Sequence, residues 1–104
     1  MTEKKENDKE RTDSNEIFVG NKHFMKYVVA AMMQLKKEGS ESAIIKARGK
    51  FISRAVDIAE VTKKRMKDTE NKMLKHSVEI GTDEFKSEDE KMINISTISI
   101  TLKK

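Results

Sequence analysis

The spacing of apolar residues divides most of the chain into strands and helices. Short apolar runs, bounded by glycine or polar residues, predict strands at residues 16–19 and 42–47. Apolar residues at helical intervals predict a first helix, which Asn21 caps and Gly39 ends. The same spacing predicts a second helix at residues 51–67.

The C-terminal third of the chain predicts a hairpin. Alternating apolar and polar residues indicate strands at residues 74–82 and 92–102, which the acidic segment 83–91 joins. The element order is then β-α-β-α-β-β. This order predicts an α/β (α+β) two-layer sandwich, in which two helices lie on one four-stranded mixed sheet with a long hairpin arm.

The apolar residues of the last strand fall into two registers. They alternate with polar residues first at Ile93 and Ile95, and then one register later at Ile98, Ile100 and Leu102. A regular strand cannot keep both sets on one face of a sheet. The pattern therefore predicts a bulge near residues 96–97 or, alternatively, a first half that leaves the sheet as a projecting arm.

Residues 1–15 contain no apolar side chain after Met1. Such a segment cannot bury enough surface to offset the entropy of ordering, so we expect a disordered charged tail followed by a single domain at residues 16–104.

The absence of cysteine excludes disulfides and cysteine zinc sites. The charged start and the lack of a long apolar run predict no secretory signal and no membrane partner, hence a cytoplasmic protein.

Positive charge is concentrated in the middle of the chain. The formal net charge is +4, and residues 17–67 contain twelve Lys and Arg against four Asp and Glu. The flanking segments are acidic in balance. A localised positive field of this kind favours a polyanionic partner, most simply a nucleic acid.

Two loops carry most of the candidate binding residues. If the first two strands are parallel, their carboxyl ends lie at the same edge of the sheet, and loops 20–23 and 46–50 meet there. Each loop precedes a helix N-terminus, where backbone N–H groups attract phosphate. The candidate phosphate-binding cations of these loops are Lys22, Lys46, Arg48 and Lys50.

Several residues allow two interpretations, one structural and one functional. Lys22 is either a phosphate contact or a solvated lysine, and Arg54 either binds phosphate or pairs with Glu60 or another neighbour. The three aromatic residues Phe18, Phe24 and Tyr27 are expected in the core, and the alternative is that they stack on bases. His23 and His76 lack a ligand pattern, and carboxylates on a hairpin tip do not converge. We therefore expect no metal, no cofactor, no catalytic residue and no small-molecule substrate.

The first helix is apolar around more of its circumference than one sheet can cover. In the second helix, the residues assigned to the core are Ile52, Ala55, Val56, Ala59 and Met66, with Ile58 at the border of the stripe. A chain of this length is expected to bury the excess against a second copy with two-fold symmetry.

The segments that carry these features resemble the Alba family of small basic archaeal chromatin proteins. The matching motifs are Val19-Gly20-Asn21-Lys22, Ile44-Ile45-Lys46-Ala47-Arg48-Gly49-Lys50 and Ile52-Ser53-Arg54-Ala55-Val56-Asp57. The resemblance implies the β-α-β-α-β-β fold, a homodimer or a heterodimer with a paralogue, and binding to double-stranded DNA or RNA with little sequence preference. It also implies hairpin arms that follow the minor groove.

This chain departs from the family pattern at two places. Asn21-Lys22 stands where two adjacent lysines are usual, so the acetylation switch loses its usual residue. The arm carries acidic residues where arginine is usual in the family, and Lys86 and Lys91 are the cations that partly neutralise it. The full set of predicted nucleic-acid-binding residues is Lys22, Lys46, Arg48, Lys50, Asn21, Arg54, Lys86 and Lys91.

We therefore expect a non-enzymatic, chromosome-associated architectural protein that binds DNA and RNA independently of sequence, through two basic strand-to-helix loops of a dimer. The alternative is a ribonucleoprotein subunit or a protein-interaction module that uses its acidic hairpin.

Overall fold

The computed structural model describes residues 15–104, so residues 1–14 of the predicted tail lie outside the described residues. Asn15 bonds to the second strand, through its side chain to Ser42 and through its carbonyl oxygen to the amide of Ile44. The elements, in chain order, are β1 (Glu16–Phe18), α1 (Phe24–Lys36), β2 (Ser42–Arg48), a 3₁₀ turn (Gly49–Phe51), α2 (Ile52–Glu70), β3 (Lys75–Lys86) and β4 (Met92–Lys103).

The four strands form one mixed sheet in the order β1-β2-β4-β3. β1 is parallel to β2, whereas β4 is antiparallel to both of its neighbours. The two helices pack on one face of this sheet, above the inward side chains of β2 and β4. The predicted fold class is confirmed. We refer to the helix-covered side as the helix face and to the opposite side as the open face.

The core contains a stripe of α2 that differs from the predicted one. Ile58, placed at the border by the sequence, is fully buried, and Val56, placed in the core, is 41% exposed. Each helical residue advances by about 100° around the axis, so a stripe centred on Ile58 and Thr62 turns Val56 away from the sheet. The assignment of Val56 to the core was wrong. Met66 and Tyr27 are buried as expected.

Three predicted helix boundaries were also wrong. His23, not Asn21, caps α1: its Nδ1 accepts a hydrogen bond from the amide of Met25, 3.3 Å away. α1 ends at Lys36, and Gly39 lies in the following turn with φ 86°. α2 continues to Glu70 because neither glycine nor proline interrupts it. It ends at Asn71, whose left-handed backbone (φ 56°) closes the last turn.

β4 contains no bulge, although its apolar residues fall into two registers. β3 and β4 pair without interruption from Lys75↔Lys103 to Lys86↔Met92, so the predicted bulge was wrong. The alternative was correct, because β2 ends at Arg48, opposite Thr97, and the pairs beyond it project as an arm. In the arm, Ile93 and Ile95 of β4 lie on the open face, whereas Ile98, Ile100 and Leu102 lie on the helix face. β3 extends to Lys86, so part of the acidic segment is strand and only residues 87–91 form the tip.

Candidate nucleic-acid interface

The carboxyl ends of β1 and β2 lie side by side, as the sequence predicted. The amide of Val19 donates to the carbonyl oxygen of Lys46 across 2.9 Å, which continues the parallel pairing to the last residue before the first loop. Loop 20–23 and the turn at Gly49–Phe51 therefore leave the same edge of the sheet. Each loop leads directly into a helix, so two helix N-termini also meet there.

Tyr27 organises the first loop. Its buried hydroxyl accepts two backbone hydrogen bonds, from the amide of Gly20 at 2.9 Å and from that of Lys22 at 3.1 Å. The loop closes over the first turn of α1, and its backbone is fixed while the Lys22 side chain stays exposed. A lysine on a fixed backbone loses less entropy when it binds an anion.

We expect Tyr27→Phe to release this loop and leave the rest of the fold intact. The substitution leaves two partly buried amides without an acceptor, which costs about 1–3 kcal/mol of unfolding free energy. Amide hydrogen exchange should lose its protection at Gly20 and Lys22, whereas Ile45 in the core should stay protected and accelerate only by the factor that the lower free energy of unfolding allows. Equal acceleration at all three amides would contradict a local role for the hydroxyl.

Arg54 ties the two loops together. Its guanidinium donates to the carbonyl oxygen of Gly20 and lies over the rings of Tyr27 and Phe24, at 5.6 and 6.0 Å from the ring centroids. It does not pair with Glu60, which instead forms an ion pair with Lys63 at 3.5 Å. Arg54 thus holds the first loop against the first turn of α2. In this arrangement the Arg54 side chain positions the two loops of the site.

Lys50 shares a depression with two other predicted residues. Asn21, Lys50 and Arg54 line a hollow of about 500 Å³ between the two helix N-termini, together with Phe24, Phe51, Ser53 and Asp57. The ammonium of Lys50 lies 5.5 Å from the centroid of the Phe51 ring. Gly49 allows the chain to turn here with φ 61°, and a Cβ at this position would lie 3.5 Å from Ile95 of the arm.

Lys46 and Arg48 point to the open face, because they alternate with the inward residues Ile45 and Ala47 of β2. Lys46 pairs with Glu16, and Arg48 with Asp83 at the base of the arm, each at 3.4 Å. Both pairs are partly or largely exposed, so each contributes little to stability and can exchange for a phosphate.

The remaining two predicted residues lie apart from the loops. Lys86 ends β3 and Lys91 belongs to the tip, where its amide and carbonyl bond to Ser87. Five residues of strand separate Lys86 from Gly81, which is on the same level of the sheet as Arg48. At about 3.3 Å per residue, this places Lys86 roughly 17 Å further along the arm.

Sequence reasoning missed the position of Phe18. The expectation of a core residue was wrong: the side chain is 66% exposed and lies on the open face. The strand Glu16-Ile17-Phe18-Val19 has apolar residues on both faces, which obscured its orientation. Its signal was Glu16, because a carboxylate two residues before Phe18 marks the side that faces water.

No metal site or membrane span is found in the described part of the chain. Within residues 15–104, no group of three or more His, Asp or Glu side chains is placed to hold a metal ion. The helices of the same range are too short or too polar to cross a bilayer.

Comparison with known proteins agrees with this geometry. A sequence model of the Alba family matches residues 15–81. The chain belongs to the Alba family. The match contains both loops and ends at the base of the arm, so the acidic part of the arm lies beyond it.

Relatives within the Alba family match most of the chain. "DNA/RNA-binding protein Alba" of Methanococcus maripaludis is 47% identical over 89 residues, which cover 85% of this chain and 96% of the relative. The protein of the same name from Methanocella arvoryzae is 47% identical over 93 residues, covering 88% and 92%. Alba from Thermoplasma volcanium has the same fold, with a TM-score of 0.71 and 38% identity over 86% of this chain and 99% of that one. The Alba family is a non-enzymatic family, so membership agrees with the expectation that the chain is not an enzyme.

Proposed function

We propose that this protein binds DNA and RNA as a cytoplasmic, chromosome-associated architectural protein, through phosphate contacts that do not depend on sequence. The observation that carries the proposal is the meeting of two basic loops and two helix N-termini at one edge of the sheet. Lys22 and Lys50 lie on exposed positions of these loops, and Arg48, which was predicted in the second loop, is the exposed last residue of β2 next to it. The names of the curated relatives support the same class of ligand.

The chemistry of the loops favours phosphate over base edges. Exposed lysine ammonium groups and backbone N–H groups contact the nucleic-acid backbone, which is the same for every sequence. Specific reading of base pairs requires an element that enters the major groove, usually a helix or a two-stranded ribbon with side chains aimed at base edges. Here both helices are packed on the sheet, and the loops present only their N-terminal ends. The projecting β3–β4 arm is a two-stranded ribbon, but the carboxylates of its tip are repelled by phosphate, which disfavours its entry into a groove.

We infer further that two copies pair through the uncovered part of the helix face. α2 packs over β2 and β4 and leaves β3 uncovered on this side. Val78 and Ile80, which pair with the buried Ile100 and Ile98, are 54% and 78% exposed. Val56 of α2 is also exposed, at 41%. We call these three apolar residues, Val56, Val78 and Ile80, the apolar seam. A two-fold axis at this seam would bury it and double the basic loops.

A salt titration tests the proposed function. Binding should be measured with two duplex DNAs of unrelated sequence and with a structured RNA, over a series of salt concentrations. We expect similar affinities for the two duplexes and a linear decrease of log K with log salt, with a slope near −0.9 per phosphate contact on duplex DNA. A shallow slope, or a strong preference for one duplex, would contradict binding through phosphates.

The acidic arm tip should oppose binding to a duplex. Replacing Glu88 by Gln and Asp89 by Asn removes two exposed negative charges from each arm. Each repulsion is worth a few tenths of a kcal/mol, so four in a dimer should tighten duplex binding about fivefold at low salt and less at high salt. Fluorescence anisotropy with a labelled duplex measures this change.

The matched control for the arm variant is Glu38→Gln with Glu41→Gln, in the turn between α1 and β2 at the opposite edge of the sheet. It changes the net charge equally and should alter affinity far less. If the arm variant instead weakens binding, its carboxylates make attractive contacts through a basic partner or a cation. That outcome would favour the second candidate, a ribonucleoprotein or protein-interaction role for the arm.

A further inference from the structure

The open face of the sheet carries a groove beside the basic loops. Its volume is about 570 Å³, and its main lining side chains are Phe18, Lys46, Arg48, Asp83, Thr97 and Ser99. The groove differs in chemistry from the hollow between the helix N-termini. It combines an aromatic ring, two cations, a carboxylate and two hydroxyl groups within one recess.

Strand register gives the groove the shape of a trough. One row across the open face contains Phe18, Lys46, Ser99 and Glu79, and the next contains Arg48, Thr97 and Gly81. The aromatic ring and the cations belong to β1 and β2, and β4 contributes the small residues Ser99 and Thr97. β3 contributes the carboxylate of Glu79 to the first row and Gly81 to the second. The floor of the trough is therefore low along β4, between the wall that contains Phe18 and the cations on one side and Glu79 on the other.

Gly81 lies beside this low floor, paired with Thr97 of β4. Glycine inside a strand weakens it, and such a residue commonly marks a place where a ligand or another chain approaches closely. A Cβ at this position would lie 3.2 Å from Oγ1 of Thr97, which is tighter than an ordinary contact. The backbone of Gly81 is not in the left-handed region, so the glycine is explained by space above the sheet and not by the backbone angle.

Phe18 provides the wall with an aromatic face. Two thirds of the side chain is exposed, although a buried phenylalanine stabilises a fold by about 1.5–3 kcal/mol. The Lys46 ammonium lies 5.8 Å from the ring centroid. An exposed aromatic ring beside cations is the arrangement on which unpaired bases stack in proteins that bind single strands.

The two cations of the groove are held by weak ion pairs. The distances from Lys46 to Glu16 and from Arg48 to Asp83 are both 3.4 Å, and the partners are partly exposed. A phosphate can replace either carboxylate at small cost. Asp83, released from Arg48, and the hydroxyls of Thr97 and Ser99 are then available to accept from, or donate to, the edge of a base.

We propose that this groove binds an unpaired nucleobase of a single-stranded nucleic acid, with the base stacked on Phe18 and its phosphate held by Lys46 and Arg48. The inference deepens the proposed function and rests on it. A duplex keeps its bases stacked and paired, so it reaches the loops but not the trough. The groove thus adds a second mode of binding that is selective for single strands.

The substitution Phe18→Leu tests the proposal, because it keeps an apolar side chain at an exposed position and removes the ring. Binding should be measured with a short single-stranded RNA, a single-stranded DNA of the same sequence, and the corresponding DNA duplex. We expect single-strand affinity to decrease about tenfold and duplex affinity to change less than about twofold. Comparing the two single strands shows which sugar the site prefers.

A fluorescence measurement reports stacking directly. The chain has no tryptophan, so Phe18→Trp creates a single probe in the groove, and Met33→Trp places one on α1 at a residue that is equally exposed (66%). Single strands should quench the first probe, duplex should not, and neither ligand should quench the second. Phe18→Trp should also retain single-strand affinity, because indole stacks as well as phenyl.

The outcomes separate this inference from the proposed function. If the wild type binds neither duplex nor single strand, the proposed function fails. If it binds both, and Phe18→Leu lowers neither affinity or lowers both equally, the base-binding groove is wrong while phosphate binding by the loops stands. Quenching of the Phe18→Trp probe by duplex to the same extent as by single strand would also overturn the groove.

Discussion

Replacing Arg48 and Lys50 together by alanine is expected to weaken binding to every DNA and RNA sequence by a similar factor, about tenfold or more at moderate salt. The two residues lie on either side of Gly49, one on the open face and one beside the hollow between the helix N-termini. Two copies of the chain would then bind four fewer phosphates. The slope of log K against log salt should therefore become shallower by about 0.9 for each phosphate that is no longer neutralised.

The control for this variant is Lys37→Ala with Lys72→Ala. These residues follow the carboxyl ends of α1 and α2, at the edge of the sheet opposite to the loops, and the variant has the same net charge. We expect it to bind nearly as the wild type does. An equal decrease of affinity in both variants would show that total charge, and not the loops, determines affinity.

A second large effect is expected from Ile80→Glu, which should convert the protein to a monomer. Ile80 is exposed in the single chain, so a carboxylate there is compatible with the fold of one copy. Within an apolar seam shared by two copies, the same carboxylate would be buried without a partner, which is strongly unfavourable. Analytical ultracentrifugation measures the change in mass, and thermal unfolding shows that the single chain stays folded.

If two copies pair as proposed, the substitution should also change nucleic-acid binding. A monomer presents half of the basic loops, so the salt slope should decrease by about half. Met33→Glu on α1 adds the same charge to an exposed apolar position away from the seam and should leave the mass of the dimer unchanged. If Met33→Glu dissociates the protein and Ile80→Glu does not, the two copies meet through α1 instead.

The fold could be predicted from the sequence because two periodicities are clear in it. Apolar residues at helical intervals predicted α1 and α2, and alternating apolar and polar residues predicted β3 and β4. Parallel pairing of β1 and β2 was a premise of the prediction that both loops leave one edge of the sheet, and a helical connection between two strands favours it. The stripe of α2 was harder to predict, because Val56 and Ile58 are similar in hydrophobicity and only contact with the sheet shows which one is buried.

The candidate site could be predicted only in part. Sequence position shows that Lys22 and Lys50 follow two strands, but not how their side chains are held. The contacts of Arg54 with Tyr27 and Gly20 join residues far apart in the chain, and no local pattern encodes them. Alternation along β2 does place Lys46 and Arg48 on one face. It does not show that this face lacks a covering helix, which depends on the path of α1 and α2 over the sheet.

The uninterrupted pairing of β3 with β4 fixes how far the acidic tip reaches from the basic loops. A bulge or a flexible joint would change the direction of the tip, whereas a continuous ladder holds the residues at its base, Lys86 and Met92, roughly 17 Å beyond the level of Arg48. This length is about half of the 34–36 Å helical repeat of B-DNA. Repulsion from the tip should therefore be absent on fragments that end within about five base pairs of the loops. As the fragments lengthen, binding should weaken at a defined length, so fragment length becomes a measure of where the arm lies.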